Sequence, residues 1–361
     1  MSDTTAASTL SILAKPVSAA CNLACDYCFY RPRNVPYSPP YKMREETLRS
    51  LLRQYMPLVQ VAALCWQGGE PLLAGVDFYR SVVELEARYG RAGQQVANAV
   101  QTNGLLLDDD FARLFAQYQF AVGISLDGPK DLHELHRGAD AHGKVIAAVR
   151  LLQPAGVALN ALCAVTKDSQ GRGEEIYQFL IAQGLDYLQF IPIVEFGAQG
   201  RPLPFTVQAE AFGDFLCAVF DAWLADGVGR VAVRNFESVL AHYLRAEPAE
   251  CVFKKRCGDY VVVEHNGDVY PCDFYVREEL RLGNLVSEPL SESLRRLPAF
   301  ADQKQRLSPT CQQCEWLGIC NGGCPRRRRE GVDYLCAGQR RFLTHSAAEF
   351  RRLASLVPPP M

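Results

Sequence analysis

The chain lacks any apolar run approaching the roughly 20 residues needed to span a bilayer. It also lacks an early basic region followed by an apolar core, so no secretory leader is expected and the chain reads as cytoplasmic. An excess of charge of one sign is missing too. Thirty-eight Lys and Arg face 40 Asp and Glu, for a formal net charge of -2, which offers no global attraction to nucleic acid or anionic lipid. Histidine is scarce, at six residues. Apolar residues make up 48% and charged ones 22%, as in ordinary globular proteins. A length of 361 residues can bury a full core and is expected to form one large domain and one smaller one.

What the chain has in quantity is cysteine: 14 residues, of which 11 fall in two regions, 21–28 and 251–336. Disulfide frameworks belong mostly to short secreted chains, so clustered thiols here read better as metal ligands.

From about residue 10 to 235, β-rich runs alternate with helical patterns. Strands are predicted at 11–16, 62–66, 96–101, 121–126, 158–165 and 187–193. Helices are predicted at 44–56, 77–89, 109–116, 143–152, 172–182 and 209–224. In the first helix Leu48, Leu51, Leu52, Tyr55 and Met56 recur at helical spacing and would face a sheet. Six such repeats imply a parallel sheet with right-handed crossovers, open or closed into a barrel. Either form puts its chemistry in loops at the C-terminal strand ends. Cys21–Cys28, Gln67–Glu70, Thr102–Gly104 and Ser125–Gly128 all fall at such ends. After Val233 the repeat stops. A helical segment, 236–246, leads to a region where runs 260–264 and 269–270 flank His265-Asn266-Gly267-Asp268, a hairpin signal. So small and irregular a region would gain from metal cross-links.

Cys21-x3-Cys25-x2-Cys28 directly follows the first predicted strand. Three thiolates leave a four-iron cluster one ligand short, so one iron stays open to a small molecule. A zinc site completed by a distant His or Cys is the other reading. With Tyr27 before the last cysteine, the motif resembles the signature of the radical S-adenosylmethionine superfamily. That resemblance implies an α/β fold, a partial (β/α)6 TIM-like barrel, with S-adenosylmethionine chelated at the open iron. Gly68-Gly69-Glu70-Pro71 is similar to the superfamily's GGEP motif, in which backbone and carboxylate meet the methionine ammonium. The resemblance also places Ser125 and Asp127 with the cofactor, Ser125 at the ribose hydroxyls.

Downstream, Cys251 precedes Cys257-x9-Gly267-x4-Cys272, then Cys311-x2-Cys314-x5-Cys320-x3-Cys324 and Cys336. Eight cysteines are the ligand count for two fully ligated [4Fe-4S] clusters, or for two zinc sites. The spacing closely resembles the SPASM domain. The resemblance implies one auxiliary cluster on Cys251, Cys257, Cys272 and Cys324 and another on Cys311, Cys314, Cys320 and Cys336, three [4Fe-4S] clusters in all. It also divides the chain into a radical-chemistry domain (1–235), a helical linker (236–250) and an auxiliary-cluster domain with a C-terminal helix (251–361).

The stretches 267–276 and 282–284, with Trp66–Leu73 and Cys28-Phe29-Tyr30, are similar to anaerobic sulfatase-maturating enzymes. That family oxidises a Cys or Ser in an unfolded sulfatase polypeptide to Cα-formylglycine. By resemblance Asp273 takes the thiol or hydroxyl proton, Tyr30 and Gln67 face the target peptide, and one electron leaves toward an auxiliary cluster. A flavodoxin or ferredoxin-like protein is the implied electron donor. Asp273 could equally cap a turn, and Tyr30 and Gln67 could be core or turn residues. The competing functions are a maturase that crosslinks a ribosomally made peptide and a non-catalytic metal-stabilised adaptor. Cys65, Cys163 and Cys217 read as buried small hydrophobes. Arg326–Arg329 reads as a solvated face that could steer an acidic protein. His133 and His136, between Pro129 and Gly138, read as a loop.

Overall fold

A computed structural model describes residues 10–30 and 36–357. In chain order its principal elements are β1 (Ser11–Ala14), α1 (Glu45–Tyr55), β2 (Val61–Trp66), α2 (Val76–Tyr89), β3 (Gln95–Thr102), α3 (Asp109–Gln117) and β4 (Ala121–Ser125). Next come α4 (Lys130–Arg137), α5 (Ala141–Leu152), β5 (Ala158–Val165), α6 (Gly173–Ala182), β6 (Tyr187–Pro192), α7 (Ala209–Asp226), β7 (Ala232–Val233) and α8 (Arg234–Tyr243). The remainder holds β8 (Tyr260–Val263), β9 (Asp268–Tyr270), β10 (Gly283–Asn284), α9 (Leu290–Ala301), α10 (Pro309–Gln312), α11 (Leu317–Cys320), β11 (Arg328–Arg329), β12 (Val332–Asp333) and α12 (Cys336–Ser355). None of the described helices is long and apolar enough to cross a membrane.

The chain forms two compact units. The first gathers the described residues up to Ser125 with Gly143–Leu159 and Gly258–Ala301. Its strands run in the order β10-β9-β8-β1-β2-β3-β4. β8 and β1–β4 are mutually parallel, whereas β8–β9 and β9–β10 are antiparallel. The apolar face of α1 packs as its spacing dictates, with Leu48, Leu51, Leu52, Tyr55 and Met56 all buried in a core shared with Ile12, Leu64 and Trp66. The His265–Asp268 turn closes as a hairpin, with Gly267 at φ 91 and its amide donating to the Glu264 carbonyl. The new feature is β8, which extends the sheet beyond β1 in parallel, so a strand from the cysteine-rich region joins the first described strand.

The second unit gathers Leu126–His142, Asn160–Cys257 and the described residues from Asp302. β6 pairs in parallel with β5 and with β7, a two-residue strand beyond the six predicted. α12 crosses α7 at a glycine pair, where a Cβ on Gly338 would meet the Ala209 carbonyl oxygen at 1.9 Å. That close approach seats the start of α12, and with it Cys336.

Three expectations change. The segment with His133 and His136 is helical (α4), because Pro129 stands just before the first turn, where no amide is needed, and Gly138 ends the helix at φ 99. Cys163 is fully buried, but Cys65 and Cys217 are only half-buried. Cys65 points to the sheet face opposite Leu64 and Trp66, as the alternation of β2 requires. Of the Arg326–Arg329 run only Arg329 is exposed, and the other three are half-buried and partnered. Arg326 pairs with Glu195 at 2.7 Å, Arg327 with Asp333 at 2.8 Å, and Arg328 donates to the carbonyls of Gly322, Arg306 and Lys304. Arg329 lies over the Phe196 ring, 3.6 Å from its centroid.

Candidate active site and thiol clusters

Because β8 and β1–β4 are parallel, their C-terminal ends share one edge. Lys15 follows β1, Gln67 follows β2, Asn103 follows β3, Ser125 ends β4 and Glu264 follows β8. Past β1 the chain turns through Ser18 to Ala20 into Cys21, Cys25 and Cys28, none of them in a disulfide. The Leu23 amide and the Asn103 side-chain amide point at Cys21 Sγ, at 3.4 and 3.7 Å. Amide N–H groups aimed at sulfur, and three thiols on one loop, suit a metal–thiolate centre.

The Gly68-Gly69-Glu70 backbone is docked on this loop. The Gly69 amide donates to the Ser18 carbonyl and the Glu70 amide to that of Ala20, both at 2.7 Å. A Cβ on Gly69 would lie 2.0 Å from the Ala20 carbonyl oxygen, and Gly68 sits at φ 124. Gly69→Ala therefore forces the two loops apart. It is expected to cost about 1–3 kcal/mol or more in denaturant unfolding.

Glu70 is fully buried. Its carboxylate accepts from the Leu72 amide (3.0 Å), the Thr102 hydroxyl (2.8 Å) and the Asn103 amide (2.8 Å). Burial pushes its carboxyl up to about 7 despite these bonds. A carboxylate offers about four acceptor sites, so one stays open. Ser125 Oγ accepts from Gln101 at 3.2 Å. In the second unit, Asp127 is spent on the scaffold: Arg137 donates to both its oxygens, at 2.7 and 3.0 Å, and the Ala164 amide adds a third bond at 3.0 Å.

Asp273 is 7% exposed. Its Oδ1 lies 2.6 Å from the ammonium of Lys15, and its Oδ2 accepts from the Tyr30 hydroxyl. Gln67 donates to that hydroxyl at 2.8 Å. Tyr30, Gln67 and Asp273, singled out separately in the sequence, are thus one hydrogen-bonded chain. Lys15 and Glu264, which were not singled out, complete it. The Lys15 ammonium is 3.3 Å from Glu264 and 4.8 Å from the centroid of the Tyr30 ring. Burial pushes Lys15 down, but Asp273 and Glu264 outweigh it and hold the ammonium above its ordinary range. Burial, and then Asp273, push the Tyr30 phenol far up, so it stays a neutral donor.

In the second unit a cavity of about 290 Å³ is lined by Cys311, Cys314, Cys320 and Cys336. Cys320 is pushed up to about 11, first by burial and then by its neighbours Cys314, Cys311 and Cys336. Cys257 is likewise pushed up to about 11 by burial, with Cys324 and Cys251 beside it. Thiols so placed are poor anions on their own, and a bound metal would have to displace their protons. Asp333 ties this region together. It pairs with Arg327 and accepts from the amides of Cys324 and Leu335, both at 2.9 Å. Burial pushes its carboxyl up, but the guanidinium and the amides hold it below its ordinary value.

Comparison with known proteins matches this geometry. Residues 16–180 match the model of the radical SAM superfamily, and residues 251–315 match that of an iron–sulfur cluster-binding domain. The chain is 35% identical to the serine-type anaerobic sulfatase-maturating enzyme of Bacteroides thetaiotaomicron, over 94% of this chain and 89% of that one. It is 32% identical to the cysteine-type enzyme of Clostridium perfringens, over 93% and 96%. The solved structure of anSMEcpe with bound AdoMet and the Cp18Cys peptide superposes with a TM-score of 0.89 at 31% identity, covering 97% of this chain and 99% of that one. With thiols, GGEP loop and Asp273 cluster where the fold brings them, and identity at this level along nearly its whole length, the chain belongs to the anaerobic sulfatase-maturating enzymes of the radical SAM superfamily.

Proposed function

We propose that this chain oxidises a cysteine or serine of an unfolded sulfatase polypeptide to Cα-formylglycine, with Asp273 as the base that takes the thiol or hydroxyl proton. The observation that carries this reading is the buried Lys15–Asp273–Tyr30–Gln67 chain at the strand ends that also carry the three-cysteine loop. Bound at a reduced cluster, S-adenosylmethionine supplies a 5′-deoxyadenosyl radical able to take a hydrogen atom from the target Cβ.

This chain's own residues do the rest. Cys21, Cys25 and Cys28 hold the metal centre, and Gly68 and Gly69 bring backbone to the cofactor. Glu70 offers its open acceptor site to the methionine ammonium, which would keep the carboxylate charged, and Ser125 meets the ribose. Asp127 acts through the loop that it braces with Arg137. Tyr30 and Gln67 hold the target segment and fix the Asp273 carboxylate. The substrate gives up one hydrogen atom, one proton and one electron. A hydroxyl target then yields the aldehyde directly, while a thiol target yields a thioaldehyde that water hydrolyses with loss of sulfide. Cys251, Cys257, Cys272, Cys311, Cys314, Cys320, Cys324 and Cys336 would hold two further [4Fe-4S] clusters, three in all, which would supply an acceptor for the electron. A flavodoxin or ferredoxin-like protein in the cytoplasm supplies the reducing electron.

The test is to incubate the anaerobically reconstituted, reduced enzyme with peptides carrying Cys-x-Pro-Ser-Arg or Ser-x-Pro-Ser-Arg, then analyse them by mass spectrometry. The expected product carries an aldehyde in place of the thiol or hydroxyl carbon. Cofactor cleavage that leaves both peptides unchanged would overturn the assignment in favour of a peptide crosslinker.

A further inference from the structure

Lys304 is 1% exposed, and its ammonium donates to the carbonyl oxygens of Cys251 (2.6 Å) and Val252 (2.8 Å). Among the described residues it forms no ion pair with a carboxylate. The charged or ionisable groups facing it include the sulfurs of Cys257, Cys251 and Cys324, with the guanidinium of Arg328 as a second cation. Arg328 in turn spends its N–H groups on three backbone carbonyls, one of them that of Lys304. Two cations are thus set beside three thiols, and among the described residues neither forms an ion pair with an acid. Burying an ammonium without an anion is costly, and two backbone carbonyls supply dipoles rather than charge. A metal–thiolate cluster on these cysteines would carry the missing negative charge.

The other thiol set differs. The charges facing Cys336 include Asp333 as well as Arg340. Arg327, which also lies near Cys324 and Cys251, is neutralised by its pair with Asp333. With Asp333 taken up by Arg327, the two sets differ in degree: among the described residues two cations without an acid partner, Lys304 and Arg328, face the first set and one, Arg340, faces the second.

We propose that Lys304 is a positioning residue for the electron: its fixed charge raises the reduction potential of the cluster bound by Cys251, Cys257 and Cys324, making that cluster the acceptor of the substrate's electron. The inference rests on the reading of these cysteines as iron–sulfur ligands. The step balances. The substrate loses a Cβ hydrogen atom to the radical, a proton to Asp273 and one electron, and that electron makes the receiving cluster one charge more negative. A buried cation nearby favours the more negative state.

The experiment uses the full chain with Cys21→Ala, Cys25→Ala and Cys28→Ala, so that only the C-terminal clusters titrate in potentiometry followed by electron paramagnetic resonance. Adding Lys304→Met is expected to lower one of two midpoints by about 59 mV or more, a tenfold change in a one-electron equilibrium. The other midpoint should stay in place, and Lys304→Arg should restore the first. With the N-terminal cysteines intact, Lys304→Met should form less formylglycine per 5′-deoxyadenosine released. Unmoved midpoints at parental iron and sulfide content would overturn the proposal. So would loss of one cluster from both Lys304→Met and Lys304→Gln, which would make the lysine a structural prop. Absence of iron from the triple-cysteine parent would instead sink the cluster assignment itself, a separate result.

Discussion

Asp273→Asn is expected to bind its full iron and to cleave S-adenosylmethionine at close to the parental rate, while formylglycine falls by about 10²–10⁴-fold, the usual contribution of a general base. The substitution keeps size and shape. An amide oxygen can still accept from Lys15, which also retains Glu264 at 3.3 Å. Breaking a buried ion pair outright costs about 3–5 kcal/mol, but here the ammonium keeps one carboxylate, so the fold should survive. What is lost is the basic oxygen. Without it, the proton of the target thiol or hydroxyl has no acceptor at the moment the electron must leave. The hydrogen abstraction does not need Asp273, so the two products separate: 5′-deoxyadenosine continues and aldehyde does not. Quantifying both in one reaction checks this, and parental aldehyde yield would remove Asp273 from its role.

The strands and helices of the repeat were legible because their cores alternate or recur with clear periods. α1 packs with the five residues its spacing names. The thiols, the GGEP loop and Asp273 were legible as motifs with fixed spacing, and the resemblance they carried set the family. Lys15 and Glu264 escaped for a physical reason. Each is a single charge just past an apolar strand, Ile12-Leu13-Ala14 or Val261-Val262-Val263, and such a residue ordinarily reads as a strand end reaching water. Only the parallel pairing of β8 with β1, between segments about 250 residues apart in sequence, turns the two ends into one buried ion cluster around Asp273. The one available signal was their position, each immediately past a strand on the edge where chemistry was expected. The arginine run misled in the opposite direction. Local charge density suggests exposure, but Glu195, Asp333 and three carbonyls that absorb the guanidinium groups of Arg326, Arg327 and Arg328 lie outside the run. Lys304 gave no signal at all, since its meaning comes from burial beside cysteines that lie on both sides of it and distant in sequence.

Cys25→Ala is expected to fail in a different way from Asp273→Asn, and the contrast separates the two halves of the mechanism. Cys25 is buried, in a loop that carries only two other thiols. A four-iron cluster that keeps one open iron needs three protein thiolates. With two, the centre has no stable ligand set, and both 5′-deoxyadenosine and formylglycine should fall to background. On the proposed assignment the eight C-terminal cysteines supply their own donor sets, so iron and sulfide per chain should drop by about a third and not to zero. The cavity lined by Cys311, Cys314, Cys320 and Cys336 lies wholly within the other compact unit, which is why its cluster should persist. Asp273→Asn would thus spend cofactor without product, whereas Cys25→Ala would spend none. Continued cofactor cleavage by Cys25→Ala would mean that the open iron is not held by this loop, and the placement of every other residue around it would fall with that result.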